Sequence, residues 1–233
     1  MPGEDLAKDP LQSGSPLRTP GAAAVAGIVF SVLLIAALVL LGLSVPADPR
    51  LAGTWLTESG RRTAVGVALN LVPFAGIAFL WFIGVIRDRV GEREDRFFAT
   101  VFLGSGLLFV AMLFVAAAVG GGLFAAASRS SGPLAPDSLV LGRDVTALLL
   151  NVYSMRMAAV FMLTTVTIAR RTQIVSRWLT AVGIVAALVL LVGVGFSGWV
   201  ELLFPAWILA LSIDILVAGP RVDQGGTATA PRG

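Results

Sequence analysis

The apolar residues of this chain are gathered into long runs. Several runs exceed the ~18 consecutive apolar residues that a membrane-spanning helix requires. Of the 233 residues, 57% are hydrophobic and 13% are charged. An average soluble domain carries roughly twice that charged fraction. These features predict an all-α integral membrane protein that forms one domain.

The runs predict a bundle of six transmembrane helices between two polar tails. The tails, residues 1–20 and 219–233, are expected to be disordered and cytoplasmic. Glycines 120–122 are expected to interrupt the third helix, ahead of a loop at residues 123–144. The predicted spans are residues 21–45, 63–86, 97–119, 145–169, 178–197 and 199–218.

The positions of the basic residues predict the orientation. Eleven of the 17 Lys and Arg residues lie in the two tails and in the second and fourth loops, and five lie in the first and third loops. Basic residues accumulate in cytoplasmic loops, so both termini are placed in the cytoplasm. The expected location is the inner (plasma) membrane. Spans five and six are expected to form a full hairpin with a corner at residues 195–198; the alternative is a single re-entrant unit.

Composition also bounds the chemistry. The chain has no cysteine and no histidine, which excludes disulfides, thiolate and imidazole metal sites, cysteine nucleophiles and a Ser-His-Asp triad. We expect no cofactor, no metal and no enzymatic activity. The net charge of +3 does not indicate nucleic-acid binding, because the arginines lie in short loops beside apolar runs.

Arg156 lies almost at the centre of the fourth span. An arginine at this position costs ~2.5–3.5 kcal/mol on insertion scales, so it is expected to face the bundle interior or a water-filled cavity. Tyr153 falls on the same side of the helix, within a partly polar stripe. Asn151, Ser154 and Thr165 fall on the opposite side. The site could bind an anionic or polar ligand, or it could be an internal ion pair that supports the bundle. The rest of the stripe is Thr146, Leu149, Val160, Thr164 and Thr167.

Asp214 is the expected partner of Arg156. Counted from the outer end of each span at ~1.5 Å per residue, Asp214 lies roughly 22 Å deep and Arg156 roughly 16 Å deep. Both side chains lean outward, however, and this does not help to close the gap. Glu201 is the alternative partner, although it is expected near the outer interface.

Two further polar residues precede prolines within spans. Asn70 lies three residues before Pro73, which removes the hydrogen bond to the Leu69 carbonyl and is expected to kink the second span. Glu201 lies four residues before Pro205 in the sixth. Each pair either forms a small polar site or marks a kink that is satisfied by a neighbouring helix.

Several short segments resemble a known group of proteins. They are residues 156–161 (RMAAVF), 170–172 (RRT), 177–179 (RWL) and 86–98 (IRDRVGEREDRFF). Together they resemble an uncharacterised (domain-of-unknown-function) family of actinobacterial multi-pass integral membrane proteins. The resemblance implies a six-helix inner-membrane protein. It implies no activity, so no functional residue is carried over.

Three classes of function follow. The small loops, the many Gly and Ala positions and the lack of reactive residues favour a structural, accessory or partner-binding protein. It would lie in the lipid bilayer as a homo-oligomer or beside another membrane protein. The alternative is a small transporter or channel for a polar or anionic solute, with Arg156 in the pathway. An intramembrane enzyme would need clustered carboxylates, and the candidates are scattered in depth.

Overall fold

The computed structural model describes residues 19–45, 58–90, 96–129, 135–172, 176–193 and 199–218. The described part is helical and contains no strand. We label its helices α1 to α7 in chain order. Short π-helical and 3₁₀ segments, Leu148–Ser154 and Val200–Leu202, precede α5 and α7. The seven helices are α1 (Thr19–Ser44), α2 (Ser59–Val90), α3 (Arg96–Arg129), α4 (Pro136–Ala147), α5 (Met155–Thr172), α6 (Arg177–Val192) and α7 (Leu203–Ala218).

For the described residues, the prediction of an all-helical protein with helices able to span a membrane is confirmed. Five stretches are long and apolar enough to cross a membrane, and α6 is apolar but shorter, at 16 residues. Most of both polar tails and the corner at residues 195–198 lie outside the described residues. The five stretches are Gly21–Ser44, Ser59–Arg87, Phe97–Arg129, Asp137–Arg170 and Val200–Val217.

The six longest elements form a closed ring. Going round it, α1 contacts α2, α2 contacts α3, α3 contacts α5, α5 contacts α6, α6 contacts α7, and α7 returns to α1. Helix α4 continues through the π-helical segment into α5 and lies against α3. Gly27 of α1 faces Ser212 of α7, and Gly42 faces Trp199. Helices α1 and α7 are therefore antiparallel, and the start of α1 lies at the same end of the bundle as the end of α7.

Glycines 120–122 do not interrupt the third helix, contrary to the prediction. Helix α3 continues through them to Arg129. A glycine within a helix costs only about 1 kcal/mol relative to alanine, and packing can supply that. At Gly120 an added Cβ would lie 3.5 Å from Leu69 of α2 and from Thr146 of α4, so the glycines lie where α3 packs against two other helices. The predicted loop at residues 123–144 is consequently helical up to 129 and again from Pro136.

The centre of the ring is filled by phenylalanine rings. Seven of them, from α1, α2, α3, α5 and α7, are at most 3% exposed. Phe79 is the hub: its ring centroid lies 4.5–6.1 Å from those of five others. Such tilted and edge-to-face pairs are favourable arrangements of aromatic rings. The seven are Phe30, Phe79, Phe82, Phe102, Phe109, Phe161 and Phe204; we call them the phenylalanine core.

Glycines allow the helices around this core to approach closely. A Cβ at Gly27 would lie 2.0 Å from Ser212 Oγ, and one at Gly183 would lie 2.6 Å from Trp207 Nε1. A larger residue at either position would force these neighbouring side chains or their helices to shift. Trp207 also donates a hydrogen bond of 3.2 Å from Nε1 to the Leu179 carbonyl, which joins α7 to α6. Small residues at helix contacts are typical of packing within membranes.

Replacing the hub of the core should destabilise the bundle. Phe79→Ala removes contacts to five rings, and a buried Phe→Ala change typically costs about 3–5 kcal/mol. We expect a clear fall in Tm for the purified protein in detergent, followed by tryptophan fluorescence. The matched control is Phe74→Ala on the same helix, where the side chain is 62% exposed. Equal shifts for the two variants would contradict a core centred on Phe79.

Candidate functional site

Arg156 lies on the outside of the bundle. It is the second residue of α5, and its side chain is exposed. Its neighbours Met155, Ala158 and Phe161 are at most 1% exposed and face the core. No described residue forms a hydrogen bond or an ion pair with Arg156. Of the two expected placements, the packed interior of the bundle is therefore wrong, and the water-filled cavity stays a prediction.

The inner side of α5 explains this orientation. The helix packs between α3 and α6, and its inner sides are taken by small and large apolar side chains. Because helical geometry separates the two stripes, turning Ala158 and Phe161 inward turns Arg156 outward. The sequence showed the apolar stripe and the partly polar stripe of α5, but not which of them contacts the neighbouring helices. The buried apolar residues are Met155, Ala158, Ala159, Phe161, Met162, Val166 and Ile168.

Asp214 lies at a different level of the bundle. Its Oδ2 accepts a hydrogen bond of 3.4 Å from the backbone N–H of Ser176, the residue that caps the start of α6. Arg156 lies 16 residues before the end of α5, or about 24 Å along the axis. An arginine side chain cannot span that separation. The predicted ion pair between Arg156 and Asp214 is not formed, because depth counted from assumed outer ends placed Asp214 too close to the level of Arg156.

Glu201 does not pair with Arg156 either, within the described part of the chain. It lies in the 3₁₀ turn that precedes α7 and is half-buried. It shares a side of the helix with Phe204 and Ile208, which are fully buried. Glu201 therefore faces the inside of the ring, at the end of the bundle where α7 begins, rather than the outer surface.

Tyr153, three residues before Arg156, is exposed as Arg156 is. It belongs to the π-helical segment and is 55% exposed. The threonines of the predicted stripe behave differently. Each hydroxyl donates to a carbonyl three or four residues earlier on its own helix, so none of these hydroxyl protons is free to be donated to a ligand. These hydrogen bonds are Thr146 to Gly142 (2.7 Å), Thr164 to Val160 and Phe161 (2.9 Å each) and Thr167 to Leu163 (2.8 Å).

Asn70 also faces outward. Its Nδ2 donates a hydrogen bond of 2.8 Å to the Gly66 carbonyl of its own helix. Both Asn70 and Pro73 are exposed, and α2 continues through the proline. The structure thus places the polar group of Asn70 against its own backbone, on the outer surface of α2.

The π-helical segment at Leu148–Ser154 was not predictable from the sequence. Within it, Ser154 is fully buried and donates to the Leu150 carbonyl. Asn151 Oδ1 is buried and has no hydrogen-bond partner among the described residues. π-helical turns inside α-helices are frequent at functional sites. This segment directly precedes Arg156 and carries Tyr153.

The described residues contain no group of three or more Asp or Glu side chains that could hold a metal ion. No protein-family model matches the chain, and neither a curated protein nor a solved structure matches it.

A double-mutant cycle tests whether Arg156 and Asp214 are independent, as the structure indicates, or form an internal ion pair. Because Arg156 contacts no described carboxylate, we expect Arg156→Gln to leave the Tm of the purified protein unchanged or to raise it. Asp214→Asn should cost about 1 kcal/mol through the weakened hydrogen bond at the start of α6. The two effects should add within ~0.5 kcal/mol, as they do for distant sites. A coupling above 1 kcal/mol would show that the two charges interact.

Proposed function

We propose that the chain is an accessory protein of the plasma membrane that acts by packing against another membrane protein. The observation that carries this proposal is an arginine on the outside of the bundle, in the middle of a span, with no described partner of its own. A charged residue in that position is expensive in lipid and normally meets a partner or water. A protein that covers the outer side of α5 removes this cost.

The phenylalanine core supports an accessory role rather than transport. A solute pathway through the centre of the ring would have to displace rings contributed by five helices. The threonine hydroxyls along α5 are already bonded to their own helix. Neither feature offers a polar lining along the axis of the bundle.

We further propose six spans with both termini in the cytoplasm. Helix α6 has 16 residues and is about 24 Å long, somewhat below the ~30 Å of hydrocarbon. It nevertheless lies in the ring between α5 and α7. The antiparallel packing of α1 on α7 supports termini on one side, and the excess of basic residues in the tails and in the second and fourth loops supports the cytoplasmic side.

Reporter fusions test this topology. A fluorescent protein that folds only in the cytoplasm and a phosphatase that is active only outside it are fused in turn to each terminus. We expect fluorescence and no phosphatase activity at both ends. Phosphatase activity at one terminus only would mean an odd number of spans, and it would contradict the antiparallel packing of α1 on α7.

Photo-crosslinking in cells tests the accessory role. A photoreactive amino acid is placed at Leu148, which is 51% exposed on the outer side of the π-helical segment, in the full chain expressed in its native host. We expect a crosslinked band of defined mass from this position. The matched control is Val25 on α1, which is 56% exposed and on a different side of the bundle. Equal or absent crosslinking at both positions, together with anion flux in proteoliposomes that is lost in Arg156→Gln, would favour the transporter.

A further inference from the structure

The outer side of α5 forms one continuous stripe. It begins in the π-helical segment and runs between α3 and α6, the two helices that flank α5. The residues of the stripe up to Arg156 are exposed, and those after it are half-buried. We call it the Arg156 stripe; its residues are Leu148, Tyr153, Arg156, Val160, Leu163 and Thr167.

The charge of the stripe lies far from either end of its apolar segment. Arg156 follows Asp144 by 12 residues and precedes Arg170 by 14. At ~1.5 Å per residue, each of these flanking residues is roughly 18–21 Å away along the axis. An arginine side chain is much shorter than that, so lipid headgroups at the membrane surface are poor partners for it. A negatively charged partner of Arg156 must therefore lie within the membrane.

A second copy of the chain does not offer a suitable complement. Only two carboxylates lie within the six predicted spans, Glu201 and Asp214. Glu201 shares the inward side of α7 with Phe204, and Asp214 lies at the start of α6 against Ser176. Neither is presented on an outer surface at the depth of Arg156. In a symmetric dimer formed through this stripe, the two arginines would instead approach each other.

We propose that the Arg156 stripe binds a transmembrane helix of a different protein that carries an aspartate or glutamate at the depth of Arg156. A guanidinium and a carboxylate form two parallel hydrogen bonds, and this geometry selects both the partner and its register. The exposed Tyr153 supplies a hydroxyl donor on the same side of the helix. The inference rests on the proposed accessory role and adds the chemistry of the partner.

The test uses the full-length protein in liposomes together with synthetic single-span helices. The probe is a Leu/Ala helix with one Asp at its centre, and the isosteric control helix has Asn there. Binding is measured by energy transfer between labels on the protein and the helix. We expect the Asp helix to bind the wild-type protein at least tenfold more tightly than the Asn helix. Arg156→Gln should abolish this difference, and Arg156→Lys, which keeps the charge, should retain part of it.

The matched control is Arg177→Gln, which removes an exposed charge at the start of α6, outside the stripe. It should leave the preference for the Asp helix unchanged. Charge reversal gives an independent arm: Arg156→Glu should prefer a helix with a central Lys. Because Arg156 is not part of the core, circular dichroism and Tm should show that these variants fold like the wild type.

Three results would overturn the inference. The first is equal binding of the Asp and Asn helices by the wild-type protein. The second is energy transfer between two labelled copies of the chain that Arg156→Gln abolishes, which would make a second copy the occupant. The third is that Arg156→Gln loses binding of a fluorescent anionic lipid while its binding of the Asp helix is unchanged. If crosslinks from position 148 in cells persist while the Asp preference is absent, the accessory role stands and only the carboxylate partner is wrong.

Discussion

Hydrocarbon cannot form hydrogen bonds with a protein, and most of this structure follows from that constraint. Each backbone N–H and C=O must find its partner within the chain, so the apolar runs are helical. Several side-chain hydroxyls are satisfied in the same way, although Ser212 Oγ is buried without a hydrogen-bond partner among the described residues. Ser31, Thr164 and Thr165 all donate to carbonyls of their own helices at 2.7–2.9 Å. Where a polar group is not satisfied in this way, something outside the described chain is needed.

Arg156 is the principal exception. Its placement on the outer side of α5 leaves a cation in the middle of a span, at an expected cost of ~2.5–3.5 kcal/mol or more. The phenylalanine core explains why Arg156 is not buried inside the bundle. The centre of the ring is closed by aromatic rings, and a guanidinium among them would lack both water and a carboxylate. The functional surface of this protein is therefore sought on its outside.

The sequence was sufficient to predict an all-helical membrane protein, but not which faces of the helices pack together or that most of residues 123–144 are helical. Long apolar runs made the helices and the membrane class predictable, and the absence of His and Cys bounded the chemistry. Periodicity placed Tyr153 and Arg156 on one stripe, and the structure keeps them together. Which stripe of α5 faces inward depends on the shapes of α3 and α6, and one helix taken alone does not contain that information. The expected ion pair failed for a related reason: depth was counted from the predicted ends of spans, whereas the hydrogen bond from Ser176 fixes the level of Asp214.

Local irregularities were the least predictable features. Three consecutive glycines indicated an interruption, yet α3 continues through them and packs at Gly120 against Leu69 of α2 and Thr146 of α4. The π-helical segment before Arg156 has no recognised composition, and only the completed packing shows that Asn151 Oδ1 is buried there without a described partner.

The central claim is that the outer side of α5 faces lipid in the isolated protein and another protein in the cell. Oxygen accessibility of a single spin label tests it directly. Because the chain contains no cysteine, Tyr153→Cys provides a unique attachment site without further changes. We expect high accessibility in nanodiscs that contain only the purified protein, and protection in native membranes. Low accessibility in nanodiscs would mean that this side faces inward, and equally high accessibility in both would mean that no partner covers it; either result would contradict the account.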